Sequence, residues 1–218
     1  MPPSVNLPPS LSFAGQTVLI TGGTTGLGLE TAIHYVALGA SPVIITARNT
    51  ARGAEAVATI EARTGKKGIV QVRSLDMDSF ADVKKFVEEL ENEVNSIDIV
   101  LLNAGCFAVD YKLSLDGWEQ DMQVNTLSTA LLALLLLPWM RAVKQPGKVQ
   151  HLGIVGSGGH VRVDIMAPGF PKKDVLKYFN DQKHYKGSQP TYNLSKLLVH
   201  YAALEIAKLA IQPDGRYT

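Results

Sequence analysis

The chain has 218 residues, is 46% hydrophobic, and carries 21 basic against 20 acidic side chains for a formal net charge of +1. That is enough apolar material for one α/β core, with no composition break to divide it. The interspersed, near-neutral charge excludes the electrostatic footprint of a nucleic-acid binder and that of a polybasic membrane surface, and leaves small-molecule chemistry as the expected business.

Met1–Leu11 holds four prolines and neither a basic nor an apolar run. Residues 1–12 therefore read as a loose tail, with no signal or transit peptide. Gln16–Thr21 reads as a buried strand, and Leu29, Ile33 and Val36 recur at helical spacing until Gly39 ends the pattern. Between them stands Thr21-Gly22-Gly23-Thr24-Thr25-Gly26-Leu27-Gly28. Its glycines let the backbone come close to an anion, and free N–H groups at the positive end of a helix face that anion. On its own such a turn serves phosphate binding and plain chain reversal about equally well.

Val43–Thr46 follows as a second strand, Ala51–Thr64 as a helix stopped by Gly65, and Ile69–Val72 as a third strand. Ser79 is placed to cap a helix reaching about Val94, with Phe80, Val83, Phe86, Val87 and Leu90 on its apolar face, and Ile99–Leu102 is the fourth strand. Strands alternating with helices imply a doubly wound parallel sheet with helices on both faces and a ligand crevice at the carboxyl ends of the strands. The Gly-rich turn sits at that end.

Leu115–Val143 is a long helical candidate with a dense apolar run, Ala130–Leu137. Asn125, Thr126, Ser128 and Thr129 precede the run and Pro138 follows it, which makes it too short for a membrane span. A helix apolar on most sides is expected to lie between the sheet and a partner helix, or across a homodimer that also uses the last helix, residues 191–211. Lys148–Val155 reads as the fifth strand, His160–Pro190 as a polar connection, and Thr191–Ile211 as the final helix. Cys106 is the only cysteine, so no intrachain disulfide forms and a reducing, cytoplasmic setting is expected. A lone cysteine of this kind usually just packs.

Tyr192 and Lys196 stand four apart on the final helix and share a face. An isolated phenol ionises near roughly pH 10, and a neighbouring ammonium favours the phenolate and fits it for acid–base work. A Tyr-x-x-x-Lys spacing alone is more often a half-buried tyrosine and a solvated lysine. Here it closes an ordered series: the Gly-rich turn, Asn103-Ala104-Gly105 after the fourth strand, Asn125 in the long helix, Ser157 after the fifth strand, then Tyr192-Asn193-Leu194-Ser195-Lys196.

That series resembles the short-chain dehydrogenase/reductase family over about residues 13–212. Gly156-Ser157-Gly158-Gly159-His160 and the long segment after it are most similar to the retinol-dehydrogenase and protochlorophyllide-reductase branch. The resemblance implies Tyr192 as proton donor or acceptor at a substrate oxygen, Ser157 as its hydrogen-bond partner, and Lys196 as holder of the nicotinamide ribose. Asn125 would bind a water linking Lys196 to solvent. It further implies cofactor contacts from Thr21, Gly22, Thr24, Thr25, Gly26, Leu27 and Gly28, a crevice floor of Asn103, Ala104 and Gly105, and an adenine edge of Asp76 and Met77. For Asp76, a plain carboxylate ahead of a helix is an equally good description. Family members continue past the last helix into further strands and a substrate cover, so this chain reads as C-terminally truncated, its fifth strand bare and its substrate pocket short of a wall.

The end of the second strand, about 20 residues past the Gly-rich turn, meets the adenosine ribose. No acidic residue stands between Gly39 and Ala54 to accept from a ribose 2′-hydroxyl, whereas Arg48 offers a guanidinium, and Asn49 and Thr24 offer further donors. The alternative is an ordinary solvated arginine at a strand end. The expectation is NADP(H) and an oxidoreductase moving a hydride between nicotinamide and the carbonyl or alcohol of a small apolar molecule. A nucleotide-binding but catalytically silent protein is the alternative.

Overall fold

The computed structural model describes residue 8, residues 10–144 and residues 147–210. Most of the expected tail and the expected end of the last helix at Ile211 lie outside the described residues. Five strands, β1 (Val18–Ile20), β2 (Val43–Ala47), β3 (Val70–Ser74), β4 (Ile99–Leu102) and β5 (His151–Ile154), form one parallel sheet in the order β3-β2-β1-β4-β5. The register aligns Val18 with Val43 and with Ile99, and Ile99 with His151. Among the described residues six α-helices connect or flank them: α1 (Gly26–Ala37), α2 (Thr50–Thr64), α3 (Phe80–Glu93), α4 (Thr129–Ala142), α5 (Val175–Asn180) and α6 (Ser188–Leu209).

β1 and β2 are continuous apolar runs because both of their faces are covered. Val18, Ile20, Val43 and Ile45 point to one side, against Ile33 and Val36 of α1 and Ile60 of α2. Leu19 and Ile44 point to the other, in the cluster that holds Phe86 and Leu90 of α3 and Leu132 and Leu136 of α4. Each such side chain taken out of water contributes about 1.5–3 kcal/mol. Local signals set the helix ends: Asn49 Oδ1 accepts from the amides of Ala51 and Arg52, Ser79 Oγ accepts from Asp82, and Gly65 closes α2 at a φ of +70°.

The segment expected to be one helix from Leu115 is three things. Ser114 Oγ accepts from the amides of Asp116 and Trp118, closing a turn in which Gly117 sits at a φ of +79° and Leu113 bridges Glu119. The helix starts only after that turn, where the Glu119 carboxylate takes the amides of Asp121 and Met122. Its first stretch, Met122–Ser128, is π-helical before α4 begins, and Thr129 Oγ1 donates five residues back to the Val124 carbonyl. Met122–Ala142 is long and apolar enough by length and composition to cross a membrane, so length does not exclude a span as expected; what makes it a core helix is that most of it is buried between the sheet, α3 and α6. The other shifts are small: β3 runs two residues further than expected and β5 is four residues long. The polar connection after β5 has structure of its own, two 3-10 turns and α5, knitted by ring contacts such as Tyr178 stacked on His184 at 3.6 Å.

Candidate active site

The loops after β1 and β4 are tied together at the carboxyl end of the sheet. Thr21 Oγ1 accepts from the amides of Asn103 and Ala104 at 3.0 and 2.9 Å, and Asn103 Nδ2 donates back to the Thr21 and Gly22 carbonyls. Thr46 Oγ1 at the end of β2 accepts from the Gly22 amide. The space left is tight: a Cβ on Gly28 would stand 2.3 Å from the Gly22 carbonyl oxygen and 2.5 Å from Asn103 Nδ2. Thr21 and Gly28 therefore build the turn rather than line its cavity. Gly22, at a φ of +65°, takes a backbone conformation that favours glycine.

α1 differs from its neighbours at the N-terminus. Thr25 precedes it without a side-chain cap and its first turn holds no acid, so amides that Asn49 and Ser79 satisfy in α2 and α3 stay available for an anion. In front of this terminus a cavity of about 560 Å³ runs along the strand ends. It collects ten of the expected cofactor residues: Gly22, Thr24, Thr25, Arg48, Asn49, Asp76, Met77, Asn103, Ala104 and Gly105. Gly26 and Leu27 lie outside its lining, and Leu27 is 72% exposed. Asn49 lines it, but its Oδ1 is spent on capping α2.

Arg52, in the first turn of α2, also lines the cavity, as does Arg48 just past the end of β2. It escapes a sequence reading that looks only at the strand end for the ribose-facing group. Cys106, Gln120 and Val124 line the opposite end. They carry no motif of their own and reach the cavity only because the turn at Ser114 resets the start of the helix.

Past Gly105 the cavity meets the polar residues of the π-helical stretch and α6. Lys196 is only 5% exposed; its Nζ donates to the Val155 carbonyl at 3.1 Å and lies 5.9 Å from the centre of the Tyr192 ring. A Cβ on Gly105 would stand 3.5 Å from Lys196 Nζ, an ordinary contact, and 3.0 Å from Asn125 Oδ1, a tight one, so a side chain here would crowd this passage. Burial pushes the Lys196 ammonium below its ordinary range. Asn125 is spent differently from the expectation: Oδ1 accepts from the Cys106 amide, and Nδ2 donates to the Cys106 carbonyl and to Ser195 Oγ. Its side chain thus clips the loop after β4 to α6, with both Nδ2 hydrogens used and one Oδ1 lone pair left to accept from a water. Ser157 begins the 3-10 turn Gly158–Arg162, which packs on α6; its Oγ accepts from the Gly159 amide, leaving the hydroxyl proton to donate elsewhere. Tyr192 is half-buried beside Phe107, ring centres 5.3 Å apart. Lys196 thus stands beside Gly105 at the margin of the cavity that begins at Arg48, with Tyr192 on the same helix and Ser157 at the start of the turn packed on it; none of the three lines the cavity itself.

Comparison with known proteins agrees with this architecture. A family model described as short chain dehydrogenase matches residues 16–153. The short-chain dehydrogenase/reductase phmF of Phaeosphaeria nodorum is 41% identical over 203 residues, covering 91% of this chain and 59% of that protein. A second, ffsI of Aspergillus flavipes, is 39% identical over 206 residues, with 93% and 59% covered. This chain therefore spans about three-fifths of the length of these curated relatives. Among solved structures, an uncharacterised protein from Mycobacterium paratuberculosis superposes with a TM-score of 0.70 at 30% identity, over 91% of this chain and 63% of that one. RhlG of Pseudomonas aeruginosa, solved as an NADP active-site complex, gives 0.69 at 25% identity, over 93% and 70%. With the family model spanning more than half of its residues, the chain belongs to the short-chain dehydrogenase/reductase family.

Proposed function

We propose that the protein is an NADP(H)-dependent oxidoreductase acting on a carbonyl or alcohol carbon of a small, apolar molecule. The observation that carries this reading is a cavity lined by an uncapped helix terminus and by Arg48 and Arg52, with Lys196 and its neighbour Tyr192 standing beside the Gly105 that also lines it. Its donor set fits the dinucleotide: amides of α1 for a pyrophosphate, and Arg48 and Arg52 for a 2′-phosphate, with no acid from Thr46 to Arg52 to accept from a bare ribose hydroxyl. NADP appears bound in the related RhlG structure. When bound, the nicotinamide supplies or takes the hydride.

The chain's own residues account for the rest. Tyr192 passes the proton to or from the substrate oxygen, Ser157 donates its hydroxyl hydrogen to that oxygen as negative charge develops, and the Lys196 ammonium favours the phenolate form of Tyr192. Asn125 is a positioning residue: it fixes the Cys106 backbone under the passage at Gly105 and, through Ser195, the helix that carries Tyr192 and Lys196. Two copies meet through α4 and α6, which expose Leu134, Tyr201 and Leu204.

Purified protein with NADPH and a panel of apolar aldehydes and ketones tests the reading. Loss of absorbance at 340 nm with at least one carbonyl supports it. Cofactor fluorescence that changes on binding with no oxidation by any carbonyl would favour the silent, nucleotide-binding alternative.

A further inference from the structure

Two buried ionisable side chains beside the candidate centre, one acidic and one basic, have no opposite group in contact. Lys196, 5% exposed, meets the Val155 carbonyl and the Tyr192 ring, and among the described residues forms no ion pair. Asp121 is fully buried just ahead of the π-helical stretch. Its Oδ1 accepts the Ala108 amide at 2.8 Å and the Cys106 thiol at 3.2 Å, while Oδ2 has no hydrogen-bond partner. The Gly105-Cys106 step lies between them, Gly105 against Lys196 Nζ and Cys106 against Asp121. A lone buried charge is costly, and two opposite ones at this range lower each other's cost.

We infer that Asp121 is the counter-charge of Lys196, a positioning residue that keeps the ammonium charged inside the fold and so keeps it able to act on Tyr192. The inference rests on the oxidoreductase reading above. The groups facing Asp121 leave it this role. Cys106, from the loop after β4, is pushed up by burial first and by Asp121 second, so the thiol stays neutral and donates its hydrogen. Glu119, in the turn before the helix and itself pushed up by burial, spends its two oxygens on the amides of Asp121 and Met122. Asp78, from the loop after β3, takes Gln120 Nε2. Burial pushes the Asp121 carboxyl up, and the Ala108 amide, the Cys106 thiol and, from α6, the Lys196 ammonium draw it down; burial likewise pushes Lys196 down, and a charged Cys106, ahead of Asp121, would draw it up. With Cys106 neutral, Asp121 is the negative charge that Lys196 feels.

Two measurements on the 218-residue protein test this. The first compares pH–rate profiles for NADP-linked alcohol oxidation in the unmodified protein and in Asp121→Asn, which keeps an acceptor for the Ala108 amide. Removing the buried negative charge lets Lys196 lose its proton at lower pH, so the falling limb, where the ammonium and its support of the phenolate are lost, should move to lower pH by about one unit. A merely structural role would lower the rate and leave the limb in place, and that result overturns the inference. The second needs no turnover: in protein labelled with 13C-aspartate, the Asp121 carboxyl, assigned through its own backbone, is titrated with and without Lys196→Met. Loss of the ammonium should raise its midpoint by about one unit or more; an unchanged midpoint overturns the inference. If the unmodified protein turns over no alcohol or carbonyl, the oxidoreductase reading fails and the second measurement alone decides the charge pair.

Discussion

At the scale of single residues the site divides into side chains that touch a ligand and side chains that hold those in place. Tyr192 is proposed as one of the first kind. In Tyr192→Phe the ring keeps its contact with Phe107 and only the transferable proton is removed. The fold and the NADPH affinity should survive while turnover falls by about a hundred- to ten-thousandfold, the range of general acid–base catalysis. Retention of most activity would eliminate the assigned proton donor. Arg48 and Arg52 are expected to share the 2′-phosphate. Charge-assisted hydrogen bonds are worth about 1.5–3 kcal/mol, so Arg48→Ala should weaken NADPH by about ten- to a hundredfold and Arg52→Ala by a similar factor, with NADH nearly unaffected by either. Titrating both cofactors against both variants checks this; equal affinity of the unmodified protein for NADH and NADPH would end the NADP assignment. Arg48 is visible in the sequence through its distance from the Gly-rich turn. Arg52, Asp121 and Cys106 are not, because their places in the site come from the approach of separate segments, the first turn of α2, the restart of the helix after Ser114 and the loop after β4, none of which hydrophobic periodicity marks.

Among elements, the most informative are the βα units, where sequence and structure meet closely. β1 and β4 fall within the apolar runs that suggest them, β2 runs one residue past its own, and α2 and α3 begin next to the Asn49 and Ser79 caps. The boundaries that slip do so where a side chain overrides periodicity. Ser114 breaks an apparent helix, Glu119 restarts it, and the π-helical stretch follows with Asn125 clipped to Cys106, an arrangement that residue spacing does not encode. Gly28 gives the element-scale prediction. The sequence offers it as a residue that clears the way for a phosphate, whereas its nearest constraint is internal, the Gly22 carbonyl and the Asn103 amide that lock the loops after β1 and β4. Gly28→Ala should therefore lose about 1–3 kcal/mol of stability even without cofactor, since the added methyl forces backbone apart in a close-packed site. Denaturant midpoints of the apo protein measure it. An unchanged midpoint paired with lost NADPH binding would return Gly28 to the purely ligand-facing role.

For the molecule as a whole, the two edges of the sheet are built differently. At one edge β3 carries Gln71 and Arg73, and Arg73 pairs with Glu93 of α3, so polar and charged side chains blunt that edge against pairing with another chain. At the other, β5 pairs only with β4 among the described residues, and it presents Leu152, Gly153 and Ile154 with no Lys, Arg, Asp or Glu. Beside it an apolar groove of about 560 Å³ is walled by Leu137 and Met140 of α4 and by Ala203 and Ile206 of α6, and Val149 at its rim is 61% exposed. An apolar, unprotected edge next to an apolar groove is an association site. The 218-residue chain should therefore show concentration-dependent association, with a helix-mediated dimer and edge-mediated larger species superimposed. The two are separable by mutation. Leu204→Glu places a charge on the exposed face of α6 and should remove the dimer while leaving the larger species; Val149→Lys places one beside β5 and should suppress the larger species while leaving the dimer. Sedimentation velocity over a hundredfold range of concentration reads both, and a monodisperse monomer throughout that range would show that neither surface drives association.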